Sequence, residues 1–558
     1  MNGRYLSQMD PRDVTIVHIL EERAARAGHD EFFTWGAEVV TVGQFNARVN
    51  RFSRKLADLG VRRGTHVMVL MNTSPDYVAL WFAIAKLGGV EVPLNAAYHG
   101  DLLRHQIVTG QASVSVVDAA YASRIDDLAG GLPDLERVIV RGSYAQRDTR
   151  MTWSDFSALD GPNDESDLGI GIGHDATAGV IFTSGTTGPS KGVLLSHHYM
   201  AAYGLMYAEV NRLRDDDVLF NFLPFFHLSG KFLTIASLAM NARMHLAPRL
   251  SVSTFWEDCR RHGITNFIGV GGICNMLLAQ PPRADDAQTQ LRTVYAVPDP
   301  ADIHAEFEQR FGCRMTTVYG STECGLPIVR GPEDPYRPGS CGRQSPYYEV
   351  AIVDQRDSSV PPGTVGEIVV RPKRPYLLGS GYIGMPDRTV ESWSNLWLHT
   401  GDRGRVDDDG WFWFEDRASD SMRRRGENVS SYEVEVLVVK HPAVAEAAAV
   451  AAVSDLAEDE IWLLVKLREG HELTYEELLQ HCAATMPYFM IPRYLEFVDD
   501  FPRTPTAKVE KYKLRRQGPG ESTWDRAAHG WVLRQQRLVK TTSEPTAAPA
   551  ALTSNRHA

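Results

Sequence analysis

Ten consecutive residues carry the types that handle phosphate. Thr183-Ser184-Gly185-Thr186-Thr187-Gly188-Pro189-Ser190-Lys191-Gly192 holds three glycines, five hydroxyls and one lysine between the apolar runs 180–182 and 193–195. Glycine lets a backbone approach an anion, and hydroxyls with an ammonium donate to phosphate oxygens. The spacing is not that of the P-loop, because Pro189-Ser190 separates Gly188 from Lys191. A Ser/Gly-rich surface loop has the same composition. A second group, Tyr319-Gly320-Ser321-Thr322-Glu323, follows the strand-like run 314–318. A tyrosine face suits a base, and a glutamate beside phosphate can hold Mg2+, although a tyrosine after a strand is also an ordinary core residue. The third group is His399-Thr400-Gly401-Asp402 with Arg417. Its carboxylate can accept from both ribose hydroxyls and its arginine can bind ribose or phosphate, or the two form a plain surface pair. The fourth is Lys508 in the Pro/Thr-rich stretch 502–511, where a solvated lysine would look the same.

These residues need elements to hold them, and the chain reads as alternating strands and helices, the α/β pattern. The run 67–71 predicts a buried strand, Ser74 an N-cap, Pro75 the first helical position, and 76–87 a helix ending at Gly88-Gly89. With 90–92 as the next strand, this is a strand–helix–strand unit with parallel strands. Charges crowd 402–425. Beyond them, Ser430 with Glu433 and Thr474 with Glu477 predict capping boxes, and 445–453 and 461–467 read as strands. A domain boundary is expected at 415–420, giving a large unit over 1–416, a small α/β unit over 417–520 and an extension over 521–558. The Thr/Ala/Pro/Ser-rich stretch 541–558 is expected to be a disordered tail.

The chain has 558 residues, enough for several domains at about 150 residues each. Hydrophobic residues at 43% and charged residues at 23% describe an ordinary globular protein and exclude disorder as the main state. A net charge of −12 disfavours a protein that coats nucleic acid. The six cysteines (259, 274, 313, 324, 341 and 482) include no CxxC pair, so neither a zinc knuckle nor a disulfide framework is suggested. They read as the reduced thiols of a cytoplasmic protein. Residues 1–13 hold no apolar h-region, so no signal peptide is expected, and no window of 18 apolar residues predicts a membrane span.

The four groups together, in this order, carry a resemblance. Over residues 15 to 517 the chain resembles the acyl-adenylate-forming superfamily: acyl-CoA synthetases, luciferases and the adenylation domains of peptide synthetases. Arg424-Arg425-Gly426-Glu427-Asn428-Val429-Ser430 and Thr523-Trp524-Asp525 look most like the CoA ligases for carnitine or crotonobetaine and for alicyclic or terpenoid acids.

The resemblance implies a large AMP-binding domain with mixed sheets and helices, a small mobile C-terminal α/β domain, and two half-reactions. A carboxylate attacks the α-phosphate of ATP, giving acyl-AMP and pyrophosphate; the thiol of CoA then displaces AMP. The protein's work is positioning and charge stabilisation. By the same resemblance, Thr183, Ser184, Gly185, Thr186, Thr187 and Gly188 hold the β- and γ-phosphates with Lys191 as the cation. Tyr319 with Gly320 meets adenine, Thr322 the α-phosphate, and Glu323 Mg2+. Asp402 holds the ribose with Arg417 nearby, and Lys508 bridges the substrate carboxylate and the α-phosphate. Ser419 is the hinge. His227, Gly320 and Cys324 border the acyl pocket, with His227 also readable as a core histidine in an aromatic cluster. Cys324 is not expected to be a nucleophile. Arg423, Arg424 and Gly426 face the phosphates of CoA, or form a solvated face of a charged loop.

Four departures qualify this, one being Ser419 itself, where relatives often carry Asp or Lys. Where relatives carry a Gly-Gly-Ala-Pro turn, the chain reads Val294-Tyr295-Ala296-Val297-Pro298-Asp299-Pro300. Ala507 replaces a glycine before Lys508, and Ser190 replaces a common proline. The function expected is an ATP-dependent acyl-CoA ligase for a bulky alicyclic, terpenoid or betaine-like acid, with a homodimer left open. The alternatives are an adenylating enzyme that loads a separate carrier protein or performs one half-reaction, and a degenerate adenylate-binding regulator.

Overall fold

The computed structural model describes residues 4–159, 164–183, 189–270, 273–417, 421–454, 458–502, 509–520 and 522–541, with the backbone alone at 416, 417, 421, 428 and 512. Two compact units emerge: Met1–Ser419 with Asp455–Glu458, and Asp420–Ser454 with Asp459–Ala558.

The first unit is built on two large sheets. In the seven-stranded one, His66–Leu70 pairs in parallel with Val90–Pro93. Between them runs the helix Pro75–Lys86, whose N-cap Ser74 accepts from the N–H of Tyr77 and whose end passes through Gly88 at φ +65°. That is the unit the sequence predicts. The sheet continues through Thr177–Thr183, parallel to Val90–Pro93, and closes with Lys191–Ser196, antiparallel to Thr177–Thr183. The other sheet has thirteen strands among the described residues. Its parallel part includes Thr293–Val297 and Arg314–Ser321; its antiparallel part includes Gly325–Arg330, Leu398–Val406 and Trp411–Arg417. The helices His197–Val210 and Leu228–Met240 pack on each other and are buried almost along their length, as their apolar sequences dictate.

The second unit has a four-stranded sheet: Val444–Val453, Asp459–Leu467, Tyr494–Phe497 and Trp524–Asp525. Thr474 and Glu477 form the predicted capping box on the helix Tyr475–Thr485. Ser430 precedes the helix Ser431–Val439 but makes no side-chain cap bond, a correction to the second predicted box. It also ends the strand Glu427–Ser430, and its hydroxyl is buried. The extension contributes structure of its own. Trp524 stacks on Tyr475 (5.6 Å, 14°), and the hairpin Trp531–Arg534/Arg537–Lys540 ends at Thr541, whose N–H donates to the carbonyl of Gly530 at 2.7 Å. The rest of the expected tail, 542–558, lies outside the described residues. No described helix is long and apolar enough to cross a membrane.

Candidate active site

The first group spans a strand–loop–strand. Thr183 ends one strand and Lys191 begins the next, directly opposite it in register. Ser184, Gly185, Thr186, Thr187 and Gly188 lie outside the described residues. Gly192 is fixed by packing: a Cβ there would stand 2.6 Å from Val180 Cγ1 and 2.8 Å from Ile383 Cγ2. Ser190 is buried, and its hydroxyl accepts from Gln106 Nε2 at 3.4 Å.

The second group leaves the strand Arg314–Ser321 and turns into Gly325–Arg330, with Ser321 paired to Gly325. A Cβ on Gly320 would lie 2.1 Å from the carbonyl oxygen of Gly325, so the turn admits only glycine. Ser321 Oγ accepts from the N–H groups of Glu323 (3.2 Å) and Cys324 (3.3 Å) and donates to Glu323 Oε2 (3.0 Å). Glu323 Oε1 accepts from Thr183 Oγ1 (3.2 Å) and Tyr382 Oη (3.3 Å). The carbonyl of Thr322 accepts from Tyr199 Oη at 2.7 Å. The structure therefore joins the end of the first group to the carboxylate of the second. Lys191 completes the cluster, with its Nζ 4.8 Å from the centre of the Tyr382 ring. Burial pushes the Lys191 ammonium down, and Glu323 partly offsets this. A carboxylate with three hydroxyls around it is a hard-oxygen donor set. It fits Mg2+, which takes one or two carboxylates and completes its shell with water and substrate phosphates.

The third group meets the second at Tyr319. Tyr319 Oη donates to Asp402 Oδ2 at 2.8 Å, and both residues are buried. Burial first, and then Asp402, pushes the Tyr319 hydroxyl well up. The Tyr319 ring lies 6.3 Å from that of Phe414 at 25°. Asp402 is set by its own turn: its N–H donates to Thr400 Oγ1 (3.1 Å), Thr400 donates to the carbonyl of Ile368 (2.6 Å), and Gly401 sits at φ +71°. His399 Nδ1 meets Glu367 Oε2 at 3.0 Å. Arg417 is the backbone partner of Asp402 across the sheet.

Cys324 is sealed from solvent, and burial pushes its thiol up to about 12, which makes it a poor nucleophile. His227 is half-buried at the N-cap of the helix Leu228–Met240, with its ring 4.5 Å from that of Phe226. The segment 294–300 is anchored by a network that the sequence did not reveal. Asp299 accepts from Arg330 Nη2 (2.9 Å) and meets His304 Nδ1 (2.9 Å), while His304 stacks on Tyr336 at 3.7 Å. Tyr382 was likewise missed, because a lone tyrosine after Gly381 carries no pattern.

In the second unit, Arg424 corrects its expected role. Its guanidinium is buried and donates to the carbonyls of Phe489 (3.0 Å) and Ile491 (2.6 Å), with Glu460 at 2.7 Å. It is not part of a solvated face. Arg423 is half-buried, and its N–H donates to Asp459 Oδ2. Gly426 (φ +79°) and Arg425 (φ +54°) form the tight turn between Arg424 and Glu427. Ser419, Ala507 and Lys508 lie outside the described residues.

Against known proteins, residues 20–383 match the AMP-binding enzyme family and 433–508 the AMP-binding enzyme C-terminal domain. A crotonobetaine/carnitine–CoA ligase of Salmonella arizonae is 30% identical over 530 residues, covering 92% of this chain and 99% of the relative. One from Shigella sonnei is 30% identical over 486 residues, covering 85% and 92%. Among solved structures, the anthranilate CoA ligase AuaEII with anthranoyl-AMP matches with a TM-score of 0.68 at 26% identity, covering 92% and 98% of the two chains. The amide bond synthetase McbA from Marinactinospora thermotolerans matches with a TM-score of 0.78 at 25% identity, covering 89% and 99%.

Proposed function

We propose how a chain that belongs to the AMP-binding enzyme family divides its work: it is an ATP-dependent acyl-CoA ligase, activating a carboxylic acid as acyl-AMP and passing the acyl group to the thiol of CoA. A carboxylate oxygen attacks the α-phosphorus and pyrophosphate leaves; the thiol sulfur then attacks the acyl carbon and AMP leaves.

The observation that supports the assignment of residues is the joining of distant groups. Glu323 accepts from Thr183, and Tyr319 donates to Asp402. In this reading Lys191 and the 183–188 loop take the β- and γ-phosphates, and Thr322 meets the α-phosphate. Tyr319 and Gly320 form the adenine platform, its hydroxyl fixed by the same Asp402 that accepts from the ribose, with Arg417 alongside. Glu323 would hold Mg2+, which supplies charge neutralisation on the phosphates. Lys508 compensates charge on the carboxylate and α-phosphate, and Ser419 is the hinge on which the small domain turns. His227, Gly320 and Cys324 border the acyl group.

The acid is bulky and alicyclic, terpenoid or betaine-like, and the crotonobetaine/carnitine ligases among the relatives support the betaine-like class. The six free cysteines support a reducing, cytoplasmic setting. The test is mass spectrometry of reactions with ATP, Mg2+ and a panel of carboxylic acids, with and without CoA and with a phosphopantetheinyl carrier as a third arm. Acyl-AMP without CoA and acyl-CoA with it are the expected products. Transfer to the carrier alone would replace CoA as acceptor, and palmitate as best substrate would overturn the acid class.

A further inference from the structure

Tyr382 lies outside the four groups read from the sequence, yet it touches both charged groups of the phosphate end. Its ring lies under the Lys191 ammonium at 4.8 Å and its hydroxyl reaches Glu323 Oε1 at 3.3 Å. The segment that carries it is tied to both partners through the backbone. The N–H of Gly379 donates to the carbonyl of Glu323 (2.8 Å) and that of Ser380 to Leu194 (2.8 Å). Leu194 donates to Gly381 (2.9 Å) and Ile383 to Gly192 (2.9 Å). The fit is close, because a Cβ on Gly379 would stand 2.7 Å from Val193 Cγ1.

This arrangement answers a physical difficulty. A lysine and a glutamate placed together tend to pair and cancel. Here no ion pair links Lys191 and Glu323 among the described residues; the aromatic ring holds the cation instead. A ring face attracts an ammonium through its quadrupole and occupies none of its N–H donors. The carboxylate meanwhile accepts from neutral hydroxyls, which orient it without neutralising it.

We propose that Tyr382 is a positioning residue of the phosphate end: its ring holds Lys191 ready for phosphate oxygens and its hydroxyl aims Glu323 at the metal. This rests on the roles given above to Lys191 and Glu323, so the experiment includes both.

The full chain is titrated with ATP by calorimetry, with and without Mg2+ and with no acid present, alongside thermal melts. Tyr382→Phe keeps the ring and loses the hydroxyl. It should lose about tenfold of the affinity that Mg2+ adds, with metal-free ATP affected least. Tyr382→Leu loses both and should also weaken metal-free ATP binding by about threefold to tenfold. Lys191→Ala and Glu323→Gln mark the two effects separately. If those two are impaired while both Tyr382 variants bind like the parent, the inference fails and the site assignment stands. If the Tyr382 variants lose affinity equally under both conditions in step with a lower melting temperature, Tyr382 is a packing residue. If Lys191→Ala and Glu323→Gln bind like the parent, the assignment of the phosphate end falls, and the inference with it.

Discussion

Two lysine–glutamate couples in the first unit follow opposite designs. Lys231 and Glu91 are fully buried and closed on each other, with Nζ at 2.8 and 2.6 Å from the two carboxylate oxygens. Trp81 covers the ammonium at 4.5 Å and Tyr77 at 5.4 Å. Burial pushes the Lys231 ammonium down and the Glu91 carboxyl up, and each partner opposes the shift of the other. Lys191 and Glu323 instead flank Tyr382, with no ion pair between them among the described residues. The first couple spends its charges on one another and holds the helix Leu228–Met240 against the sheet. On the proposed reading, the second keeps its charges available to an anionic substrate and a cation. A closed pair is a structural device and an open one a binding device, so the two should fail in different ways when broken.

The largest effect is expected from the closed pair. Glu91→Ala strands the Lys231 ammonium in a fully buried cage and should lower stability by about 3–5 kcal/mol, read from the urea midpoint. The double variant Glu91→Leu/Lys231→Met removes both charges and should recover most of that loss. If it does not, the pair holds the helix through something other than charge compensation.

The open couple should show the reverse. Glu323→Gln keeps an oxygen for its hydroxyl donors, so its stability should change by less than about 1 kcal/mol. Acyl-AMP formation should nevertheless fall about 100-fold. Lys508→Ala, at the residue the family resemblance assigns to the reacting carboxylate, should cost about 100- to 1,000-fold in the same assay, about 3–4 kcal/mol. Equal losses of stability and rate in Glu323→Gln would erase the distinction between the two designs.

What the sequence disclosed follows the same division between local and distant. The helix after Ser74-Pro75 and the Thr474–Glu477 box were legible because cap and partner are close in the chain. The individual site groups were legible as motifs, and their shared order carried the family. Their joining was not, because Glu323 with Thr183 and Tyr319 with Asp402 are contacts across the fold. Asp299 with Arg330 and His304 was hidden for the same reason, as was Tyr382. The burial of Arg424 was hidden because a run of three arginines reads as exposed, whereas Phe489 and Ile491 offer carbonyls that its guanidinium satisfies. Trp524–Asp525 was missed as a strand because two residues carry no periodicity.

A third way to bury a titratable group is to keep it neutral. His197 is fully buried, neither ring nitrogen has a hydrogen-bond partner among the described residues, and burial lowers its pKa to about 4. The unfolded chain titrates this group near 6.5. Between those values the unfolded state binds the extra proton. The stability that His197 contributes is therefore full above about pH 6.5 and is lost as pH falls toward 4, a total of about 3 kcal/mol. His245, also lowered to about 4, titrates in the same direction. Urea midpoints across pH 4–7 should fall less steeply in His197→Leu than in the parent. Parallel slopes would show that His197 titrates alike in the folded and unfolded states.

The smallest effect separates geometry from burial. Arg405 Nε donates to Glu415 Oε1 at 2.7 Å, as close as the contacts of the closed pair. Both side chains are about one-third exposed (33% and 37%), and the guanidinium also lies 4.4 Å from the Trp413 ring. Water solvates such ions nearly as well as they solvate each other, and holding two long side chains in one geometry costs entropy. Glu415→Gln should therefore change stability by no more than about 0.5 kcal/mol, with little further change at high salt, where the Debye length is about 3 Å. A loss approaching that of Glu91→Ala would mean that distance, and not burial, sets the worth of an ion pair in this protein. The contrast between the closed and open couples would then need another cause.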